Sequence, residues 1–271
     1  MKKIIVAFVA VLSLLTACSK NNDIQIDSNK FGQVKIKFDH IVNSKKLVLN
    51  DYTYSNSHSE IFNVTTLKYF VTNVKFTKSN GETYTVLKED SYFLIDAVNA
   101  HSLNPNILIP EGEYTGLEFN LGVDSLTNTL PVEKRTGVLN PATNGMYWEW
   151  NSGYIHFKIE GNSPQANNPN NSYKYHIGLF GGYSTPTVNN NRIVRIDLTK
   201  AGISKVQEHL SSDIHLMVDI GKIFDAVHPI SIQKNPVVMQ SGPHTFIADN
   251  YAQMFMHDHT HNFQKIVQHE N

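Results

Sequence analysis

The sequence predicts an all-β fold: an antiparallel β-sandwich, or a barrel-like closure of one, with a few short helices and a C-terminal tail. Three observations predict it. Short alternating or β-branched runs recur along the chain, each bounded by Asn, Gly, Pro or Asp. Helical periodicity is scarce, and asparagine, which favours turns over long helices, occurs 29 times. No fixed-period repeat and no second apolar run of membrane length follows the N-terminal segment.

The strands follow in chain order. Gln33 to Phe38 alternates strictly, and Leu47 to Leu49 is a short run closed by Asn50-Asp51. Tyr69 to Thr77 alternates and turns through Ser79-Asn80-Gly81 into Thr83 to Leu87, a hairpin with Asn-Gly at the bend. Further strands are expected at Tyr92 to Asp96, Gly116 to Leu121, Tyr154 to Glu160, Tyr173 to Phe180, Ile193 to Leu198 and Ile214 to Asp219. Short helices are expected at Lys205 to Leu210, Lys222 to Asp225 and Ala248 to Phe255. Asn162 to Asn171 is a polar hairpin tip inside one domain.

The N-terminus carries a targeting pattern. Met1-Lys2-Lys3 is a basic start, Ile4 to Leu15 is an apolar run too short to span a bilayer, and Leu15-Thr16-Ala17-Cys18 resembles a lipoprotein cleavage box. The expected division is a signal peptide over 1–17, lipidated Cys18 with a flexible tether over 18–30, a β domain over 31–262 and a tail over 263–271. The anchor implies the cell envelope, at the outer membrane or facing the periplasm. It also consumes the only cysteine, which excludes disulfides and thiolate metal sites. With 23 basic and 24 acidic residues the chain has no basic excess for nucleic acid.

No metalloprotease His-Glu-x-x-His, nucleophile-elbow Gly-x-Ser-x-Gly, phosphate-binding Walker loop or dinucleotide Gly-x-Gly-x-x-Gly occurs, so a binding protein is expected rather than an enzyme. Both tryptophans lie in Met146-Tyr147-Trp148-Glu149-Trp150-Asn151-Ser152-Gly153-Tyr154-Ile155-His156. In one continuous strand, Trp148, Trp150, Tyr154 and His156 would share a face, as either a metal-proximal row or an aromatic core ladder; a bulge at Gly153 would break it. Phe38-Asp39-His40 places an imidazole beside a carboxylate, and His176 is an interior strand histidine. In Met254-Phe255-Met256-His257-Asp258-His259-Thr260-His261 the three histidines share a face if the segment is a strand, and His257 and His261 stand one turn apart if it is a helix. Neutral imidazoles suit copper, zinc or nickel, and thioethers add preference for Cu(I).

Taken in order, these blocks resemble one family. The series runs Phe38-Asp39-His40, Leu67 to Val74, Pro110-Glu111-Gly112-Glu113-Tyr114, Leu121-Gly122-Val123-Asp124-Ser125, the tryptophan block, Tyr175-His176-Ile177-Gly178, Pro236 to Met239, Ile247 to Tyr251 and Asp258 to Asn262. It is similar to the MbnP-like copper-binding proteins, the methanobactin-associated periplasmic family, in a lipoprotein branch. The resemblance implies copper held by histidines and by a kynurenine that a di-haem partner of the cytochrome c peroxidase class, MbnH, makes from a tryptophan. An intact indole N–H is a donor only, whereas the opened ring offers an amine. On that resemblance Trp150 and Trp148 are the candidates for modification, and His40, His156, His176, His259 and His261 are the candidate ligands. A rival expectation is a surface module for glycan or protein that uses exposed aromatics on a β scaffold.

Overall fold

The computed structural model describes residue 27 and residues 29–51, 54–149 and 151–266. The expected signal segment, Cys18 and Trp150 lie outside the described residues. The main strands are β1 (Phe31–Val42), β2 (Thr66–Lys78), β3 (Tyr92–Asp96), β4 (Asn106–Pro110), β5 (Gly112–Leu121), β6 (Tyr147–Trp148), β7 (Gly153–Asn162), β8 (Ser172–Gly178), β9 (Arg192–Asp197), β10 (Leu210–Asp219) and β11 (Phe255–Lys265). They form two sheets. In the first the order is β11–β10–β1, with β4 and Lys45–Lys46 on the far edge of β1. In the second it is β9–β5–β2–β7–β8, with β3 on the other edge of β2. The all-β sandwich expectation holds, but not every pairing is antiparallel: Lys174–Tyr175 of β8 runs parallel to Val237–Val238. β1 and β10 are also parallel, from Gln33 opposite Ser211 to Ile41 opposite Asp219. Strands this far apart in sequence are not tied by a turn, so local pattern leaves their direction open.

The alternation that marks each strand puts its apolar face inward. In β1, Val34, Ile36 and Phe38 are buried while Lys35, Lys37 and Asp39 face out. Phe38 and Phe255 of the first sheet meet Tyr69 and Phe119 of the second edge to face, with centroids 5.1–6.3 Å apart. Such pairs add about 0.5–1.5 kcal/mol each beyond area burial. A second, smaller cluster of Phe70, Val123, Leu139, Met146, Tyr154 and Ile155 lies on the outer side of the second sheet, and Tyr147 and Trp148 pack against it.

Several local expectations change. Lys205 to Leu210 is not helical: Ser204–Val206 forms a short strand against β5, and His209 turns the chain at φ 64° into β10. Leu47 to Leu49 is not a strand. The helix expected at Ala248 to Phe255 begins earlier, at His244, and ends at Tyr251. Phe255 instead opens β11, which runs on to Lys265. The tryptophan block is a hairpin, not one strand: Tyr147 pairs with Tyr154 and Trp148 with Gly153. Gly153, at φ 67°, allows the reversal, so Trp148 and His156 do not share a row.

β5 and β7 meet end to end along one edge of β2, with Leu121 opposite Val71 and Phe157 opposite Tyr69. The chain must leave the sheet at that junction, and it does so at Gly122, at φ 120°. A Cβ there would lie 2.0 Å from His156 Nδ1 and 2.6 Å from Asn191 Oδ1. Both the backbone conformation and the space exclude a side chain. Gly122→Ala is therefore expected to destabilise the protein by about 3 kcal/mol or more, read as a lowered midpoint in urea unfolding.

Candidate metal centre

The outer face of the first sheet carries the described residues' only group of three or more His, Cys, Asp or Glu side chains with candidate ligand atoms all within 4.8 Å of one another. It consists of His215, His259 and His261. His215 stands on β10 directly opposite His259 on β11, and His261 pairs with Asp213 two residues along. The rings of His215 and His259 are 4.2 Å apart between centroids, those of His259 and His261 4.5 Å, and those of His215 and His261 5.3 Å.

Local pairing explains why these three converge and His257 does not. His259 opposes His215, but the next residue of β10, Leu216, opposes His257, so Asp258 is an extra residue. This bulge inverts the side-chain alternation beyond it. His257 turns to the face of Leu216, where its Nε2 is 2.8 Å from Thr260 Oγ1, whereas His259 and His261 stay outside. Expecting all three C-terminal histidines on one face requires an unbulged strand. Asn262 fixes the register on the other side. Its Oδ1 accepts from the Lys205 N–H at 2.7 Å and the Ser212 hydroxyl at 2.8 Å, and its Nδ2 donates to the Ile203 carbonyl at 3.0 Å.

Local contacts orient the imidazoles. His259 Nδ1 is 2.8 Å from Asp258 Oδ2, which makes Nδ1 the donor to that carboxylate and Nε2 the nitrogen presented to an ion. Burial, then the neighbouring His259 and Lys37, hold the His215 pKa below its ordinary value, against the opposing pull of Asp39. Asp39 is itself paired with Lys37 at 2.8 Å and lies 3.9 Å from His215 Nδ1. An ion bound at about 2.0–2.1 Å by three nitrogens needs them roughly 3.4–3.6 Å apart. Ring rotation about the broad χ2 torsion can close that gap from 4.8 Å. The donor set therefore fits a borderline or soft metal.

The other sequence candidates lie elsewhere and are already engaged. His40 faces inward from β1, with Nε2 2.9 Å from the buried Tyr69 hydroxyl, and burial pushes its pKa down to about 4. His156 is fully buried at the β5–β7 junction, where Nδ1 accepts the Val123 N–H at 2.9 Å. Burial and then the Arg192 charge push its pKa down to about 3. Its Nε2 has no hydrogen-bonding partner among the described residues. His176 lies on the outer face of the second sheet, with Nε2 2.6 Å from Glu160 Oε1. Trp148 is half-buried on that same outer face, with its ring over Gly178. His176 and Gly178 alternate on one side of β8, so Trp148 adjoins His176 and stands across the sandwich from the three-histidine cluster.

His215 is the member that sequence reading passes over. Its signal is faint: in Ile214-His215-Leu216-Met217-Val218 the apolar positions alternate, which puts His215 and Met217 on the solvent face. Nothing local says that β11 lies beside them.

The family model for MbnP matches residues 31–240. The chain belongs to the MbnP family. The solved structure of MbnP from Methylosinus trichosporium has a similar fold, with a TM-score of 0.53 and 17% identity over 79% of this chain and 82% of that one. No curated protein matches. In this MbnP-family chain the family match ends before β11, so His259 and His261 lie beyond it while His215 lies within it.

The two buried histidines set an acid limit. Both are neutral in the fold, and both take the ordinary value near 6.5 when unfolded. Below pH 6.5 the unfolded chain gains protons that the fold refuses, so stability falls as pH drops towards 4. Each group contributes on the order of 1.4 kcal/mol per pH unit across that window. Urea unfolding followed from pH 6 to pH 5 is expected to show His156→Gln binding nearly one proton fewer on unfolding than the parent.

Proposed function

We propose that this protein is an extracytoplasmic copper-binding protein, not an enzyme, whose ion is held by His215, His259 and His261 on the outer face of the first sheet. The observation that carries the reading is the convergence of three imidazoles within 4.8 Å, one of them oriented by Asp258. Membership of the MbnP family supports copper over zinc or nickel, which suit the same donors. The lipobox-like Cys18 supports a membrane-tethered form in the cell envelope, at the outer membrane or facing the periplasm. A tether favours capturing copper or passing it to a neighbour over free diffusion.

A tryptophan-derived ligand made by a di-haem, MbnH-type partner is the family's implied addition. Made from Trp148, it would belong to a different part of the molecule. Trp148 neighbours His176 and not the cluster, so an amine formed from it would join the His176–Glu160 face. Intact mass of the mature protein from its native host tests this, since a ring-opened tryptophan loses one carbon and gains one oxygen.

Copper titration of the purified protein is expected to load one ion at the cluster. His215→Ala and His259→Ala should each lower affinity at least tenfold, and His176→Gln should leave it within threefold. Asp258→Asn, which keeps the shape but loses the carboxylate that orients His259, should cost roughly 10- to 100-fold. Undiminished loading in the His215→Ala, His259→Ala double variant would remove the cluster from the reading.

A further inference from the structure

The bulge that separates His257 from its neighbours also decides where Met256 points. Met256 pairs with Met217 across β10 and β11, one same-face step from the His215–His259 pair. Along β10, Asp213, His215 and Met217 alternate onto the outer face. In an unbulged β11, Met256 would share the parity of Thr260 and point inward; the extra Asp258 reverses it, and Met256 is 60% exposed. Phe255, on the opposite parity, confirms the assignment by packing inward on Phe38 and Phe119.

Same-face residues two apart on a strand are about 6.5–7 Å apart, and directly opposed side chains about 5 Å apart. Methionine spans such distances with three flexible torsions. Met217 also borders a cavity of about 500 Å³ with Asp39 and Leu47, which leaves its side chain room to change rotamer. Either sulfur can therefore reach an ion held at His215 and His259.

We propose that Met217 and Met256 are thioether ligands of this centre and make it selective for Cu(I). The inference rests on the reading that this face holds copper, and it goes beyond that reading by naming the oxidation state and two further ligands. Imidazoles alone accept Cu(II), zinc and nickel as readily as Cu(I), whereas neutral, soft thioethers add affinity for Cu(I) and little for zinc. Leucine matches methionine closely in volume and has no donor atom.

The test compares the full-length protein with its Met217→Leu, Met256→Leu double variant, using Cu(I) under reducing, anaerobic conditions and Zn(II) separately. Competition against a chromophoric Cu(I) chelator should show the double variant at least tenfold weaker for Cu(I). Zn(II) affinity should stay within twofold, which also verifies that the fold and the histidines are intact. X-ray absorption of the Cu(I)-loaded parent should contain a sulfur scatterer that the double variant lacks. Equal Cu(I) affinities together with a first shell of nitrogen only would overturn the thioether assignment and leave the histidine centre standing. A parent that loads neither metal would overturn both.

Discussion

Asp258 has no opposite number on β10, and what the outer face of the first sheet displays depends on that mismatch. With strict pairing, the alternation of β11 would put either the odd-numbered or the even-numbered residues outside along its whole length. The extra residue splices the two sets: His259 and His261 stay outside on one side of it, and Met256 comes out on the other. The same splice sends Phe255 into the core, where its ring meets Phe38, Tyr69 and Phe119. Core packing thus holds the bulge in place from below while Asn262 fixes the register from the far end. An edge strand is ordinarily a weak place to hold a precise arrangement, because one side of its backbone is unpaired. Anchors on both sides of the bulge offset that weakness.

Electrostatics act in the same direction. The cluster adjoins Lys37 and Asp39, which are paired with each other, and Asp213, which is paired with Lys35. The carboxylates nearest the imidazoles are therefore largely committed, apart from Asp258, whose bond to His259 Nδ1 leaves Nε2 as the nitrogen presented to an ion. Burial and mutual repulsion disfavour protonating His215. Side chains that are already oriented lose little on binding an ion. By contrast, the lone pair of His156 Nδ1 is committed to the Val123 N–H, and His40 is hydrogen-bonded to Tyr69 in the core. His40 bridges the two sheets and His156 closes the β5–β7 junction, and their burial makes the fold sensitive to acid.

Much of the fold was legible because most strands are amphipathic and one face of each is buried. Tyr92–Asp96 matches its expected bounds, and the Asn80-Gly81 turn joins the two strands it was expected to join. What was hidden depends on long-range pairing. The parallel contact of Gln33 with Ser211 has no local signature, and neither does the neighbouring of His215 and His259, which are 44 positions apart. Gly122 and Gly153 could be read as glycines, but the sheet junction and the hairpin that require them appear only in the fold. The clustered histidines near the C-terminus were visible as a motif. Their geometry was not, because a single unpaired residue decides which of them face the same way.

The placement of the centre bears on how such a protein could work. Residues 31–240 carry the family's scaffold, and β11 lies after them, laid along the free edge of β10. One residue within that span, His215, has two imidazole neighbours on β11, whose inward Phe255 packs in the core while His259 stays on the outer face. The result is a shallow site on an outer face and not a buried one. Its three histidines are half-buried or exposed, and Met256 stands at the surface. Shallow sites with exchangeable ligands release an ion to a partner's ligands through intermediates shared by both proteins, whereas a closed site must open first. The proposed tether at Cys18 would hold such a face near the membrane. On the proposed reading, an exposed site and an anchored chain would answer the same requirement, which is contact with another copper-handling protein.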